Sequence, residues 1–442
     1  MMNVNFRNVT IGKDDKGYYI KMPGVDDIFP IDEIFEEYEG LELDIDIKPP
    51  QMLEIENGPY TGPSPQHPEA VDEAKKVIKE LDLRTIYSPI RDDLNTFNQI
   101  AKYYKENYRR MGYSKVKPKS IEEIKQWQSN LKAKVRELIG LDHDFLQDVP
   151  MDMEKGGSTV FSPSHAPPVK MTKFYYTSAP GMKVPAILCQ PVEMDDPVPA
   201  IIALHGHGPG KIRAVGMTYS NARSYYGLEL AQRGFVTLNI DQWGFGERYP
   251  VASMEGHPRY GDGEQRYSLT SLWLGLTAIG IRTHDVIKAC DYLETLDFVD
   301  KEPGFGLVGI SGGGKTSTFA SVMDDRISAV CIAGYFCTIY SSTFSQSHCA
   351  CNYVPGLALE ADISDVAGIR APKPTFIQAG DKDGIFPEHG VRKAYEELME
   401  IYKAFGAEDN LKIDFWKGHG HEFTGREVYP WFEKVLKKKG ER

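Results

Sequence analysis

From about residue 150 to the end of the chain, short β-rich runs alternate with longer helical stretches. That rhythm dictates a mostly parallel sheet with helices on both faces, because parallel neighbours can be joined only through a crossover. The β-rich runs are "MTKFYYT" (171–177), "VPAILCQP" (184–191), "PAIIAL" (199–204), "FVTLNI" (235–240), "FGLVGI" (305–310), "SAVCIAG" (328–334), "KPTFIQAG" (373–380) and "LKIDFW" (411–416). The first two flank "SAPGMK" and read as a hairpin. Helical stretches follow as "SYYGLELAQRG", "RTHDVIKACDYLETL", "TSTFASVMDD", "GVRKAYEELMEIYKAFG" and "PWFEKVLKKK". In open sheets of this kind, reactive groups collect beyond the carboxyl ends of the strands. The residues just after each strand therefore carry the functional information.

The remainder of the chain divides in two. Residues 1–68 read as an extended, strand-like segment ending in a proline-dense connector, since six prolines between 49 and 68 forbid regular helix. Residues 69–150 read as a helical extension. Its clearest piece is "SIEEIKQWQSNLKAKVRELIGL", with Ser120 and Glu123 at capping-box spacing and Gly140 as its stop. Ile121, Ile124, Leu131, Val135 and Leu138 form an apolar face that suits packing on a neighbouring domain. The catalytic-type domain is then 151–442.

Composition narrows the function. A net charge of −12 argues against nucleic acid as partner, which needs clustered Lys and Arg. No apolar stretch is long enough to span a membrane, and the first 20 residues lack a basic-then-apolar leader. Six cysteines in 442 residues do not suggest a disulfide framework, so a cytoplasmic location is expected.

The strand ends carry a definite set. After "PAIIAL" stand His205, Gly206, His207 and Gly208. After "FVTLNI" comes Asp241-Gln242-Trp243-Gly244-Phe245-Gly246-Glu247-Arg248. Ser311 follows "FGLVGI", Asp381 and Asp383 follow "KPTFIQAG", and His419 and His421 follow "LKIDFW". Serine, then acid, then histidine is a chain order that supports nucleophilic catalysis. A serine hydroxyl attacks poorly until a histidine removes its proton, and a carboxylate must hold that histidine in one tautomer. The resulting oxyanion needs preorganised N–H donors.

Residues 306–320, "GLVGISGGGKTSTFA", fit two incompatible motifs. Gly309 through Gly314-Lys315-Thr316 match a phosphate-binding P-loop. Gly309-Ile310-Ser311-Gly312-Gly313 match a nucleophile elbow, where small residues on both sides of the serine permit a strained turn. A P-loop would leave the HGHG loop, the late aspartates and the late histidines without roles. The elbow uses them all, in order.

Residues 170–435 resemble the α/β-hydrolase superfamily, in particular its dienelactone hydrolase and acetyl xylan esterase-like branch. The matching pieces are "PAIIALHGHG", "GFVTLNIDQWGFGER", "GLVGISGGG", "MDDRISAVCIAGYF", "APKPTFIQAGDKDGIFP" and "GHGHEF". The resemblance implies an α/β-hydrolase fold, with the N-terminal extension as an addition. It implies Ser311 as nucleophile, and Asp383 as the acid because Gly380, Asp383 and Pro387 fit the family's G-x-x-D-x-x-x-P frame. It implies His421, closely followed by Phe423, as the base. Asp381 is then a turn cap, and His419 a loop residue or part of the pocket lining. Oxyanion donors should be the backbone N–H groups of His207 and Gly312. His205, Trp243, Glu247 and Arg248 are candidates for contacting substrate, while Asp241 orders its loop. No cofactor or metal is implied. The expected substrate is a small-molecule carboxylic ester, with acylated sugars suggested by the resemblance alone. Thioesters, lactones and peptides are alternatives on the same triad.

Loops 209–225, 249–270 and 336–365 are expected to build the pocket and carry no readable code. Several features read as structural. His348-Cys349-Ala350-Cys351 lacks a second Cys/His pair at zinc spacing and reads as loop or buried cysteines. Arg282 and Asp285 read as an ion pair along one helix. Lys315 is expected to reach solvent or a nearby carboxylate. The long N-terminal extension could serve as an interface for a homo-oligomer.

Overall fold

The computed structural model describes residues 10–14, 17–21, 28–30, 96–217, 225–249 and 262–437. Contacts divide the chain into two units, Met1–Glu106 and Asn107–Arg442. The first holds an antiparallel three-stranded sheet of β1 (Thr10–Asp14), β2 (Gly17–Lys21) and β3 (Ile28–Pro30). The proline-dense stretch 49–68 and the first part of the expected helical extension, 69–95, lie outside the described residues.

The second unit is built on one large sheet. Its strands are β4 (Met153–Phe161), β5 (Val169–Ala179), β6 (Met182–Pro191), β7 (Val198–Leu204), β8 (Val236–Ile240), β9 (Val299–Asp300), β10 (Phe305–Ile310), β11 (Ile327–Ala333), β12 (Thr375–Gly380) and β13 (Leu411–Trp416). The order is β13-β12-β11-β10-β7-β8-β6-β5-β4, with the short β9 beside β7. From β8 to β13 all neighbours are parallel, whereas β6, β5 and β4 run antiparallel. The expected hairpin is β5–β6, closed at Gly181 with φ +70°, a value that glycine adopts without cost.

Strand periodicity decides the layering. In β7, Ala200, Ile202 and Leu204 enter one core while Ile201 and Ala203 enter the other. In β10, Phe305 and Leu307 go one way, Val308 and Ile310 the other. Helices Ile121–Leu138, Ala278–Glu294 and Glu388–Ala404 cover the first face. Helices Tyr226–Gln232 and Val428–Leu436 cover the second. Helix Ile121–Leu138 thus belongs to the same unit as the sheet, burying Ile124, Trp127, Leu131 and Val135. Ser120 Oγ accepts from the Glu123 N–H at 3.2 Å, as its spacing requires, but Glu123 accepts from Lys119 N rather than from Ser120. Among the described residues no helix is long and apolar enough to cross a membrane.

Three pieces depart from the sequence expectations. Strand β4 is exposed throughout and interrupted by Gly156-Gly157, so it shows no alternation to read. Helix Asp262–Trp273 occupies part of the stretch 249–270 expected to be loop. Short helices Leu357–Glu360 and Ile363–Gly368 do the same within 336–365. Residues 218–224 and 250–261 of the expected pocket loops lie outside the described residues.

Candidate active site

Strand β10 ends at Ile310, and helix Gly312–Met323 begins two residues later. Ser311 is left at the corner with φ 58° and ψ −119°. That region is sparsely populated for any residue with a Cβ and is characteristic of sites where backbone strain serves a purpose. The flanking glycines are steric necessities. A Cβ on Gly309 would stand 2.4 Å from the Gly313 carbonyl carbon, and one on Gly313 would stand 2.0 Å from the Leu204 carbonyl oxygen.

This geometry leaves no phosphate-cradling loop. Residues 309–310 are strand, residues 312–316 are helix, and Lys315 is wholly buried. Contrary to expectation it reaches neither solvent nor a carboxylate. Its Nζ donates to the Cys351 carbonyl oxygen at 2.8 Å and to Cys351 Sγ. Thr316 Oγ1 donates to Gln242 Oε1 at 2.5 Å.

The acid and the histidine meet at the ends of β12 and β13. His421 Nδ1 donates to Asp383 Oδ2 at 2.8 Å. Asp383 Oδ1 accepts from the backbone N–H groups of Ile385 (2.8 Å) and Phe386 (3.1 Å). Burial alone would raise the Asp383 carboxyl, but the His421 bond and charge and these two amides hold it below its ordinary value. An ionised acceptor fixes the His421 proton on Nδ1 and leaves the Nε2 lone pair free. His421 Nε2 is buried without a hydrogen-bond partner. Gly334, at φ +53°, makes room for the ring, since a Cβ there would lie 3.1 Å from His421 Cε1. The alternatives are occupied elsewhere. Asp381 accepts from Gly418 N at 2.7 Å, and His419 stacks on Trp416 at 3.6 Å.

Ser311, Gly312, His207 and His421 line one cavity of about 320 Å³, whose wall includes Arg213, His348, Cys349 and Phe386. The His207 backbone nitrogen lies 3.9 Å from the point where a Cβ on Gly312 would stand, so the two amides expected to serve as oxyanion donors are neighbours. Phe386, which sequence reading did not single out, stacks on His421 with centroids 5.8 Å apart.

The other sequence candidates lie outside this lining. His205 is buried, its Nδ1 bonded to the Gly206 carbonyl at 2.6 Å and its Nε2 accepting from Gln242 N at 3.0 Å. Burial lowers its pKa to about 4, so the ring is a neutral brace between two loops. Trp243 offers its carbonyl to Arg282, at 2.9 Å from Nη2. Glu247 pairs with Lys211 (2.5 Å) and Lys173 (2.8 Å). Asp241 accepts from Lys211 N and Nζ, both at 2.7 Å, and so orders its loop. Arg282 and Asp285 do not pair with each other. Each is buried and finds a partner on another element: Arg248 Nη1 reaches Asp285 Oδ2 at 2.5 Å, and Arg282 Nη2 reaches Glu264 Oε1 at 3.1 Å.

A second group abuts the cavity. The fold sets Cys349 and Cys351 against His207 and Glu264, which come from two distant segments. Sequence spacing showed only the Cys349–Cys351 part of this group, because the four positions span more than a hundred residues.

No protein-family model matches the chain. YtaP of Bacillus subtilis (strain 168), provisionally named a hydrolase, is 29% identical over 241 residues, which is 52% of this chain and 76% of that protein. A solved structure from Bacteroides fragilis NCTC 9343, provisionally assigned as an acetyl xylan esterase, aligns with a TM-score of 0.64 at 16% identity, covering 79% of this chain and 97% of that one. A methylesterase structure aligns with a TM-score of 0.56 at 20% identity, covering 79% and 71%. Likeness at such identities is likeness of fold, and the fold is that of the α/β-hydrolases, as the sequence resemblance implied.

Proposed function

We propose that the protein is a serine hydrolase that cleaves carboxylic esters through an acyl-enzyme. The observation that carries this is the buried, unpartnered Nε2 of a His421 held by Asp383, lining the same cavity as the strained Ser311. In the reaction, Ser311 Oγ attacks the acyl carbon while His421 Nε2 takes its proton. The negative charge that forms on the substrate oxygen falls to the N–H groups of Gly312 and His207. His421 returns the proton to the departing alcohol. Water, activated by the same imidazole, then attacks the acyl carbon and frees Ser311. Asp383 keeps its charge throughout and stabilises the imidazolium.

A cavity of about 320 Å³ is large enough to admit a small ester. The names of the similar proteins, an acetyl xylan esterase and a methylesterase, support ester hydrolysis, and the first supports esters of carbohydrates as the substrate class. A fluorophosphonate probe should label the native protein and not Ser311→Ala. p-Nitrophenyl acetate should be hydrolysed faster than longer acyl esters, and acetylated xylo-oligosaccharides should release acetate. A native protein inert to both probe and esters would sink the proposal. Turnover confined to thioesters, lactones or peptides would keep the triad and replace the substrate class.

A further inference from the structure

We infer that His207, Glu264, Cys349 and Cys351 form a binding site for one divalent metal ion of the zinc type, set into the wall of the cavity. Each residue presents one ligand atom, and these four atoms all lie within 4.8 Å of one another. They arrive from three separate segments: the loop after β7, helix Asp262–Trp273, and the loop after β11. Two sulfurs, an imidazole nitrogen and a carboxylate oxygen are a soft-to-borderline donor set, which selects zinc over magnesium or calcium.

The spacing fits a tetrahedral ion. With ordinary zinc–ligand lengths, the edges of such a tetrahedron are ~3.3–3.8 Å. His207 Nε2 lies 3.6 Å from Cys351 Sγ and 3.8 Å from Glu264 Oε2. The two sulfurs are 3.0 Å apart and need to open by less than ~1 Å to reach the same edge.

The surroundings are arranged for ligation. Glu264 Oε1 accepts from Arg282 Nη2 and from Ser268 Oγ, each at 3.1 Å, which turns Oε2 toward His207. Asn352 Nδ2 donates to Cys349 Sγ at 2.9 Å, and Lys315 Nζ donates to Cys351 Sγ. These donors sit where they would hydrogen-bond a metal-bound sulfur. Two thiolates and a carboxylate carry three negative charges, and Lys315 and Arg282 return two. One negative charge remains before an ion binds, and a bound dication would bring the cluster to a net +1. This also gives Lys315 a task, as an outer donor to a metal thiolate. The ion would tie the His207 segment to the cavity wall, a consequence for the oxyanion donor that rests on the hydrolase proposal.

Metal analysis of full-length protein purified under reducing conditions without chelator should find equimolar zinc. Cobalt(II) in its place should give intense thiolate charge-transfer bands and a tetrahedral ligand-field spectrum. Both signals should be lost in Cys351→Ser, weakened in Glu264→Gln, and unchanged in Ser311→Ala. The last variant separates this site from the hydrolase proposal, since it removes the nucleophile and spares every ligand. Should Cys351→Ser fail to fold, iodoacetamide kinetics on the native protein decide: zinc should slow alkylation of Cys349 and Cys351 at least tenfold. Substoichiometric zinc, a weak octahedral cobalt spectrum, alkylation indifferent to zinc, or a Cys349–Cys351 disulfide in the isolated protein would each overturn the site.

Discussion

Ser311 sits at φ 58°, and the surrounding packing has to hold it there. Such a conformation costs a residue with a Cβ ~1–3 kcal/mol. Ser311→Gly should therefore raise the denaturation midpoint, by an amount equivalent to ~1 kcal/mol, while abolishing hydrolysis. Equal or lower stability would show that the corner is not strained. Gly313 faces the opposite constraint, with the Leu204 carbonyl oxygen 2.0 Å from any added Cβ. Gly313→Ala should destabilise by ~3 kcal/mol, read from urea denaturation. His205 carries a pH signature. Its folded pKa is about 4 against an ordinary 6.5, so between these values the unfolded chain binds the proton and the folded chain does not. Stability from this residue is complete above pH 6.5 and is lost as pH falls toward 4, a swing of ~3 kcal/mol. Asp362, raised to about 6 by burial, acts with the opposite sign and loses stability as pH rises toward 6. The native protein should thus show a steeper rise in stability from pH 4 to 6.5 than His205→Asn, whatever the common background; parallel curves would refute the assignment.

At the scale of elements, helix Ile121–Leu138 offers a contrast within one amphipathic segment. Leu131 is fully buried, and its replacement by alanine should cost ~2–5 kcal/mol. Ile121, on the face that periodicity assigns to the core, is 42% exposed, and Ile121→Ala should move stability by under ~0.5 kcal/mol. Thermal melts of the two variants would check both. The same helix shows what sequence discloses. Its cap, its stop at Gly140 (φ +70°) and its core residues Ile124, Leu131 and Val135 follow from local rules. The parallel strands were legible too, because strands buried on both faces are continuous apolar runs. Helix Asp262–Trp273 was not, because its polarity is inverted. Glu264, Ser268 and Ser271, at helical spacing, are buried, while Leu269 and Trp273 are exposed. A polar inner face answers to Arg282 and to the cysteine loop, partners that no local pattern reveals. The Asp383–His421 pair could be expected in advance because both loops follow strands, the choice over Asp381 and His419 resting on the family resemblance. The neighbourhood of His207 could not, since it depends on where loops return after long crossovers.

For the whole molecule, the division at 106/107 implies that residues 107–442 hold their own core. A chain shortened to that unit should keep a single cooperative thermal transition; loss of cooperativity would mean that the first unit completes the core. Within the larger unit, every residue of helix Gly312–Met323 is buried. That helix follows the central strand β10 and meets the cavity only at its first turn, through Gly312. Beyond that turn its backbone amides can meet deuterium only when the unit as a whole comes apart. Their exchange rates should be the slowest in the chain and should share one free energy, that of global unfolding. The corner at Ser311 would then be anchored to the last structure to open, so that heat should dismantle the substrate-side loops well before it displaces the nucleophile.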